Sequence, residues 1–347
     1  MDYAINNKSA SLPHTLRSKP RLGFLGVGWI GGHRLKSMVD SDLVDVAAIA
    51  DPSAQNQTNA LTIAPRAQCV HDLEALLALD LDGIVIATPS AQHAAQACAA
   101  LQANVPVFCQ KPLALDADET RRVIRAARTA DRLLGVDLSY RHLRGLDQMR
   151  RLLMEGAFGK VFAVDLVFHN AYGPDKPWYY DKTAAGGGCV IDLGTHLVDL
   201  MFWLLDNPGV SHVSSTLFAG GAPLDGRAEI EDFASVHMAL DGGIDARLAC
   251  SWNLSAGREA IIQAVFYGTK GGCCVRNVGG SFFNFQTERY QGTQREVLTP
   301  PSDDWWGAAA VHWARTLGNN ARYDAQIEGL IRVAEVLDAV YGEKREV

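Results

Sequence analysis

The feature that most constrains the fold of this chain is a glycine-rich turn between an apolar segment and a helix-like one. Three glycines, Gly26, Gly28 and Gly31, follow an apolar stretch typical of a strand. In this order the first glycine permits a tight turn, the second lets the backbone approach a pyrophosphate, and the third lets the helix pack closely on the strand. The start of the helix also presents free N–H groups to phosphates. The pattern predicts a dinucleotide-binding turn in which Trp29 and Ile30 also contact the cofactor.

An acidic residue follows the next apolar stretch at the distance expected for a ribose contact. Asp51 directly follows the apolar segment 44–50 and lies about twenty residues beyond the glycine turn. A carboxylate at this place can hold both ribose hydroxyls and repels a 2′-phosphate. The sequence therefore predicts NAD as the cofactor, with NADP disfavoured. Ser53, two residues further on, leaves room for some tolerance of the phosphate. A glycine turn without a ligand is the alternative interpretation.

Size and composition exclude several classes of protein. A chain of 347 residues exceeds the usual size of one hydrophobic core, which favours two domains. Its formal net charge of -7 argues against nucleic acid as a partner. No apolar run is expected to reach membrane-spanning length, and the first twenty residues lack an apolar signal core. The seven cysteines show no Cys-x-x-Cys pair, which favours reduced thiols. We therefore expect a cytoplasmic protein with a polar tail over residues 1–20.

The order of apolar segments predicts two different architectures. From residue 21 to 137, short apolar strands alternate with helical segments, which is typical of a parallel sheet covered on both faces. After residue 137, strands follow one another across turns such as Asp241-Gly242-Gly243, which predicts antiparallel hairpins. We expect an α/β Rossmann domain over 21–137 and an α+β domain over 138–347, the latter built on a large, mostly antiparallel open sheet.

A lysine follows the apolar segment 105–109. Ligands bind at the carboxyl ends of parallel strands, so Lys111 is expected to point into the cofactor cleft. Its ammonium can donate a hydrogen bond to a substrate hydroxyl and stabilise a developing alkoxide. Burial would lower its pKa and make it a proton relay. Pro112 can fix the direction of the lysine through a rigid peptide bond, in the cis form or otherwise. Taken alone, a Lys-Pro pair is more simply interpreted as a solvated surface lysine.

A second motif joins three glycines to an acid and an imidazole. Gly186–Gly188 provide a backbone that a ligand can approach closely. A helix expected over 190–205 puts Asp192 and His196 four residues apart on one face. The imidazole can take or return a substrate proton while the aspartate orients it or the substrate. A buried Asp–His pair that only holds the helix is the alternative, and Asp199 is expected to be structural.

Other site chemistries have less support in the sequence. Asp192 and His196 could supply two ligands to a metal, but no Cys/His cluster with zinc spacing is present. Serine hydrolysis has no nucleophile-elbow pattern. We therefore expect no metal.

Together these motifs resemble the glucose–fructose oxidoreductase / inositol dehydrogenase (Gfo/Idh/MocA) family. The resemblance spans nearly the whole chain from residue 21 and rests on five motifs in order. These are the glycine turn, Asp51, the segment Ala87-Thr88-Pro89-x-x-x-His93, Lys111-Pro112 and the glycine–Asp192–His196 motif. The resemblance implies a two-domain enzyme that moves a hydride between NAD(P) and a hydroxyl carbon of a sugar, inositol or related polyol.

The resemblance also implies roles for particular residues. Lys111, Asp192 and His196 would be the catalytic set, with His196 as the acid/base, Lys111 as the polarising or relay group and Asp192 as the orienting partner. Thr88, Pro89 and His93 would line the nicotinamide side of the cofactor cleft. The family commonly forms dimers or tetramers through the open faces of its C-terminal sheets, so we expect a homo-oligomer of this kind.

One position departs from the family pattern. The family usually has glutamate before the Lys-Pro pair, whereas this chain has Gln110. An amide can still hydrogen-bond a ribose hydroxyl, but it carries no charge. Lys111 thereby lacks a possible ion-pair partner, and its pKa is expected to lie lower than with glutamate.

The substrate pocket is expected between Lys111 and the sheet of the second domain. Aromatic faces pack against sugar C–H surfaces, and polar tips bind hydroxyls. The residues of this kind expected to line the pocket, besides Asp192 and His196, are Tyr140, Arg141, His169, Asn170, Trp178, Tyr179 and Trp252.

Two other functions use the same motifs. A glycoside-processing enzyme can keep its NAD bound and recycle it, because transient oxidation acidifies the neighbouring C–H and permits elimination of the glycosidic substituent. A non-catalytic sensor that has kept the dinucleotide fold is a third class. The presence of both Lys111 and His196 disfavours it.

Overall fold

The computed structural model describes residues 19–224, 229–302 and 305–342. Its described strands form a six-stranded parallel sheet and a nine-stranded, mostly antiparallel sheet. This confirms the predicted fold class. Of the expected N-terminal tail, residues 1–18 lie outside the described residues.

The first sheet has the topology of a dinucleotide-binding domain. Its strands are β1 (Arg21–Leu25), β2 (Asp45–Ala50), β3 (Gln68–Val70), β4 (Gly83–Ile86), β5 (Val107–Cys109) and β6 (Leu134–Val136). The helices between them are α1 (Trp29–Asp40), α2 (Ala54–Ile63), α3 (Leu73–Leu77), α4 (Ser90–Gln102) and α5 (Ala117–Ala130). The strands are parallel in the order β3-β2-β1-β4-β5-β6. The order reverses between β1 and β4, so a crevice for a ligand opens at the carboxyl ends of these strands.

The second sheet extends across the rest of the chain. Its strands are β7 (Val161–Asn170), β8 (Val210–Ala219), β9 (Ala222–Pro223), β10 (Phe233–Leu240), β11 (Ile244–Ser251), β12 (Ala260–Gly268), β13 (Gly271–Asn277), β14 (Phe285–Gln291) and β15 (Gln294–Ser302). Their order is β15-β14-β13-β12-β7-β11-β10-β8-β9. Within the described residues, β7 and β11 are the one parallel pair of this sheet.

Helices of the second half of the chain pack on one face of the second sheet, where α8 contacts β7 and α10 contacts β8. The helices of this half are α6 (Leu146–Met154), α7 (Lys182–Ala185), α8 (Thr195–Leu204), α9 (Ala308–Asn319) and α10 (Gly329–Val340). Short 3₁₀ turns lie at Ser139–His142, Pro177–Tyr180 and Ala325–Glu328, and a π turn at Val190–Gly194. Along β10 buried residues alternate with more exposed ones, as expected for a sheet with one covered face.

Two strands at one side of the second sheet, β15 at its edge and β14 next to it, are not among the sequence predictions. β14 and β15 contain runs of polar residues, so the alternation that marks a half-buried strand is weak there. The polar Glu288 is nevertheless fully buried, because Arg276 and Tyr290 satisfy its carboxylate. Partners on the same strand (Tyr290) and on the neighbouring strand β13 (Arg276) therefore allow a segment that is polar in sequence to join the sheet.

The last part of the chain packs back onto the first sheet. Trp313 and Leu317 of α9 lie in the same core cluster as β1 and α1. A Cβ added to Gly83 would lie 2.8 Å from the ring of Trp313, and one added to Gly135 would lie 2.5 Å from it. α10 packs on α5 and α8. The expected division into 21–137 and 138–347 stays a prediction, with α9 of the second stretch in the core of the first sheet.

One helical run is long and apolar enough to cross a membrane, whereas the sequence analysis expected no apolar run of that length. By length and composition the 23-residue run Lys182–Leu204 could cross a membrane. However, 83% of its most apolar window is buried inside the protein, as in the core helix of a soluble protein. The run is this long because α7, the π turn and α8 follow one another closely. It is weak evidence for a membrane.

Candidate active site

The three glycines of the first turn have three different surroundings. Gly26 has a φ of +84°, and a Cβ there would lie 2.6 Å from the carbonyl oxygen of Ala87. A Cβ on Gly31 would lie 2.1 Å from the carbonyl oxygen of Gly26. At Gly28 the nearest atom is 3.8 Å away, so this side of the turn is open to a ligand. α1 begins at Trp29 with no acidic residue in its first turn and no capping side chain, which leaves its positive end available to a phosphate.

Asp51 ties the glycine turn to the end of β2. Its buried carboxylate accepts hydrogen bonds from the N–H of Val27 at 2.8 Å, the N–H of Ser53 at 2.8 Å and the side-chain amide of Asn56 at 3.0 Å. A carboxylate offers about four acceptor positions, so one is left for a ribose hydroxyl. The residue predicted to contact the cofactor thus also holds the turn in shape.

His93 supports the cofactor cleft from behind. Its ring is buried, with one nitrogen 2.7 Å from the carbonyl oxygen of Pro112 and the other 2.8 Å from that of Thr88. Burial lowers its pKa. Each ring nitrogen faces a carbonyl oxygen, and the single N–H of the neutral ring donates to one of them, so His93 joins the turn after β4 to the Lys-Pro turn. Thr88 donates its hydroxyl to Gln96, and Pro89 directly precedes α4.

Lys111 and Asp192 meet across the two halves of the chain. Lys111 follows β5, and its peptide bond with Pro112 is cis. Its ammonium donates to a carboxylate oxygen of Asp192 at 2.9 Å and to the main-chain oxygen of the same residue at 2.6 Å. The indole N–H of Trp252 donates to the other carboxylate oxygen at 3.1 Å. Asp192 is thus held on both oxygens, and one of the three N–H groups of Lys111 is left for a substrate.

His196 lies next to this pair as a neutral imidazole. Its ring packs on Tyr140 with 4.8 Å between centroids. Nδ1 is buried and has no hydrogen-bond partner among the described residues. Burial lowers the pKa of His196, and the charges of Lys111 and Arg34 lower it further. The neutral ring is the form that accepts a proton.

The expected alignment of Asp192 and His196 on one α-helical face is modified in the structure. A π turn spans Val190–Gly194, so its hydrogen bonds run from i to i+5. Asp192 is bound by Lys111 and Trp252, and no hydrogen bond joins it to His196 among the described residues. Asp192 therefore orients the lysine, while aromatic packing supports the histidine.

The second glycine run is packed against protein on one side, while Gly187 also lines the small pocket beside Lys111 and Asp192, so the approach of a ligand there stays a prediction. A Cβ on Gly187 would lie 2.3 Å from the hydroxyl of Tyr341, and one on Gly188 would lie 2.0 Å from the carbonyl oxygen of Glu231. The glycines are therefore needed because two other parts of the chain contact this turn.

Glu231 caps the helix that carries Asp192. Its carboxylate accepts the N–H of Gly188 at 3.0 Å, the N–H of Val190 at 2.9 Å and the hydroxyl of Tyr341 at 2.7 Å. Its carbonyl oxygen accepts the N–H of Cys189 at 3.1 Å. One fully buried residue thus satisfies three successive N–H groups that start the helix. Burial raises the pKa of Glu231.

Three of the aromatic residues expected to line the substrate pocket lie at the Lys111–Asp192 pair. Trp178 and Tyr179 stack with 3.9 Å between ring centroids and line a small pocket together with Lys111 and Asp192. Trp252 contacts Asp192 through the hydrogen bond from its indole N–H. These rings provide apolar faces of the kind that pack on sugars.

Other expected substrate-binding residues are engaged elsewhere. Arg141 donates to both carboxylate oxygens of Asp199, which is structural as predicted. The side-chain oxygen of Asn170 accepts the N–H of Tyr172 at 2.9 Å. His169 lies 2.9 Å from the hydroxyl of Ser251, and the buried Tyr140 supports His196.

Sequence reasoning missed a buried polar cluster beside Gln110. Asp137 directly follows β6 and accepts hydrogen bonds from Gln110, Arg34 and Ser139. The position of Asp137 at the carboxyl end of a parallel strand was a usable signal. The sequence carried no signal that Arg34 belongs to this cluster, because an arginine on a helix is ordinarily exposed to solvent.

Comparison with known proteins agrees with the two-sheet fold. Residues 21–138 match a family model described as "Oxidoreductase family, NAD-binding Rossmann fold". Residues 146–273 match one described as "GFO/IDH/MocA C-terminal domain". The chain is 28% identical to the rhizopine catabolism protein MocA of Rhizobium meliloti over 257 residues, which are 71% of this chain and 78% of that protein.

Two further proteins are similar over most of the chain. The 1,5-anhydro-D-fructose reductase of Ensifer adhaerens is 26% identical over 261 residues, covering 74% of this chain and 76% of that enzyme. Among solved structures, GenD2 from gentamicin A biosynthesis in complex with NAD superimposes with a TM-score of 0.78 at 24% identity, covering 93% of both chains. This last likeness shows the shared fold.

The cap on the helix predicts a measurable effect on stability. In Glu231→Gln an NH₂ group replaces one acceptor oxygen and faces an N–H donor, so we expect the free energy of unfolding to fall by about 1–3 kcal/mol. Tyr341→Phe removes a single donor and should cost about 1 kcal/mol. Urea titration of both variants measures the difference. A Glu231→Gln protein as stable as the original chain would contradict the role of the cap.

Proposed function

The chain belongs to the Gfo/Idh/MocA family of NAD-binding oxidoreductases, and we propose that it oxidises or reduces a hydroxyl carbon of a sugar, inositol or related polyol with NAD. The observation that carries the proposal is the Lys111–Asp192 pair beside a neutral His196. An available ammonium donor and a proton acceptor together suit an alcohol that becomes a carbonyl. The rings of Trp178 and Tyr179 at the same pocket suit a polyhydroxylated substrate.

The proposed mechanism divides the work among three residues. Lys111 donates its remaining N–H to the substrate oxygen and stabilises the negative charge that develops there. His196 accepts the hydroxyl proton in oxidation and returns it in reduction. Asp192 holds the ammonium in place through its hydrogen bonds. NAD, when bound, supplies the hydride acceptor. The glycine turn, Asp51 and the Thr88–Pro89 turn would hold it.

Removal of the lysine should nearly abolish turnover. In Lys111→Ala the developing alkoxide loses its donor, so we expect kcat to fall by about 10²–10⁴-fold. The assay is absorbance of reduced cofactor with NAD and a panel of sugars and inositols. Lys160→Ala, at an exposed position, is the matched control. Undiminished turnover in Lys111→Ala would overturn the assignment of the lysine.

The cofactor preference has its own test. We propose that NAD is preferred over NADP, supported by the carboxylate of Asp51 at the end of β2. The ratio of kcat/KM for NAD over NADP should be at least about tenfold, because like charges brought together cost several kcal/mol. Asp51→Asn should lower that ratio. Asp51→Asn also loosens the glycine turn, but that loss affects both cofactors and cancels in the ratio. An unchanged ratio would show that another residue discriminates.

A glycoside-processing enzyme with retained NAD is the second candidate. A chain of aromatic rings favours it: Trp29 of the glycine turn packs on Trp306 at 5.7 Å, and Trp306 packs on Phe283 at 5.1 Å. These rings connect the cofactor turn to the second sheet, a contact that would slow cofactor release. NAD binding without turnover on any sugar would support the third candidate, the non-catalytic regulator.

Native mass spectrometry separates the two enzymes. Co-purified NAD, with release of sugar from a glycoside and no net cofactor reduction, would support the recycling enzyme. A purified protein free of NAD that accumulates reduced cofactor in the sugar assay would support the dehydrogenase.

We also propose that the chain assembles through the open face of its second sheet. Phe162, Tyr267 and Val297 are exposed large hydrophobic residues of that sheet. Arg247 and Asp165 form an ion pair there at 2.7 Å. The same mass spectra give the number of subunits, for which we expect two or four, and a monomer would overturn the proposal. The seven free cysteines support the cytoplasm as the compartment.

A further inference from the structure

A buried hydrogen-bonded network lies directly behind the proposed site. Asp137 is 1% exposed and accepts three donors. The amide of Gln110 and the Nε–H of Arg34 both reach one carboxylate oxygen, and the hydroxyl of Ser139 reaches the other. A second nitrogen of Arg34 lies 3.3 Å from the hydroxyl of Ser139. All four side chains are buried. We call them the Asp137 network.

The charge balance of this network disfavours a second carboxylate, and its one spare donor among the described residues is the buried Nη1 of Arg34. It holds one cation, Arg34, and one anion, Asp137. The side chain at position 110 contributes a donor to the same oxygen that Arg34 contacts. A glutamate there would set an acceptor against an acceptor. Two buried carboxylates in contact cannot both be ionised without a large penalty. Position 110 therefore favours a neutral donor as long as position 137 is an aspartate, because a glutamate there would have to hold a proton in order to donate.

The network is connected to Lys111 through the ends of three strands. Gln110 precedes Lys111 in the chain, and its N–H donates to the carbonyl of Ile86 at the end of β4. The N–H of Asp137 donates to the carbonyl of Cys109 at the end of β5. The side-chain contact between positions 110 and 137 thus joins the carboxyl ends of β5 and β6. Lys111 is the next residue after Gln110.

The network is also connected to His196. Ser139 starts the 3₁₀ turn whose next residue, Tyr140, packs on the imidazole at 4.8 Å. Arg34 packs its guanidinium over the ring of Trp306 at 5.1 Å and lies close enough for its charge to act on His196. The two residues that would handle the substrate oxygen and its proton therefore share one support.

We propose that Gln110 and Asp137 are a matched pair of positioning residues, in which a neutral donor at 110 and a carboxylate at 137 together hold Lys111 and His196 for hydride transfer. The pair acts through Lys111 and Tyr140 and requires no contact with substrate. This inference rests on the proposed function for its kinetic readout. It explains why this chain has an amide where its sequence resembles a family with glutamate.

The test is a double-mutant cycle with a rescue. Gln110→Glu puts two carboxylates against each other, and Asp137→Asn leaves Arg34 without its anion. We expect each single variant to lose at least about tenfold in kcat/KM. The double variant Gln110→Glu/Asp137→Asn exchanges donor and carboxylate between the two positions. It should recover most of the loss. Gln102→Glu, the same chemical change at an exposed position of α4, is the control and should match the original chain.

The pH profile separates positioning from a purely structural role. The groups around His196 are the cations Lys111 and Arg34, the phenol of Tyr140, the carboxylate of Asp192 and the Arg141–Asp199 pair. Removing the carboxylate beside Arg34 leaves that cation uncompensated and disfavours the protonated imidazole. In Asp137→Asn the acidic limb of the rate–pH profile for oxidation should therefore move to lower pH. In the double variant it should return.

Several outcomes would overturn the proposal. Wild-type kinetics in Gln110→Glu, or a double variant no better than the product of the two single losses, would show that the positions are not matched. If Gln110→Glu does not fold, a folded double variant supports the pairing and an unfolded one contradicts it. Calorimetric titration of NAD, run on all four proteins, gives the same cycle without any substrate. The pairing can thus be judged even if the proposed sugar activity is absent.

Discussion

The contact between Lys111 and Asp192 is the interaction on which the arrangement of the site depends. It joins the carboxyl end of β5 in the first sheet to the π turn before α8, which packs against the second sheet. The two residues are 81 positions apart in the chain. Largely buried charges are costly unless they are paired and hydrogen-bonded, and here the main-chain oxygen of Asp192 and the indole of Trp252 complete the set.

Each side of that contact has its own support. On the side of Asp192, Glu231 satisfies three N–H groups at the start of the helix, and Tyr341 from the end of the chain holds Glu231. On the side of Lys111, the Asp137 network and His93 fix the ends of β4, β5 and β6. All of these supports are polar groups buried in protein. Deleting one leaves its partners unsatisfied and so disturbs the lysine indirectly.

Much of the fold and part of the site followed from sequence patterns. The parallel sheet, the second sheet and the glycine turn were predictable because strand periodicity and glycine geometry are local properties. Lys111, Asp192, Trp178 and Tyr179 were expected near one another, and the structure brings them together. The polar strands β14 and β15 were missed, because their runs of polar residues hide the alternation of a half-buried strand, and the charge that pairs with Glu288 comes from Arg276 on β13.

The sequence by itself determined the dinucleotide-binding turn, the order of the two sheets and the residue types of a proton-handling site. These depend on backbone conformations and periodicities within a few residues of each position. The tertiary structure alone decided the partner of each polar group. In the structure the second glycine run packs against Glu231 and Tyr341, Arg141 pairs with Asp199, and the amide of Gln110 donates a hydrogen bond to Asp137. Such pairings form between residues far apart in the chain, as with Arg34 and Asp137, which are separated by 103 positions. Burial decides them, because it removes water as the competing partner.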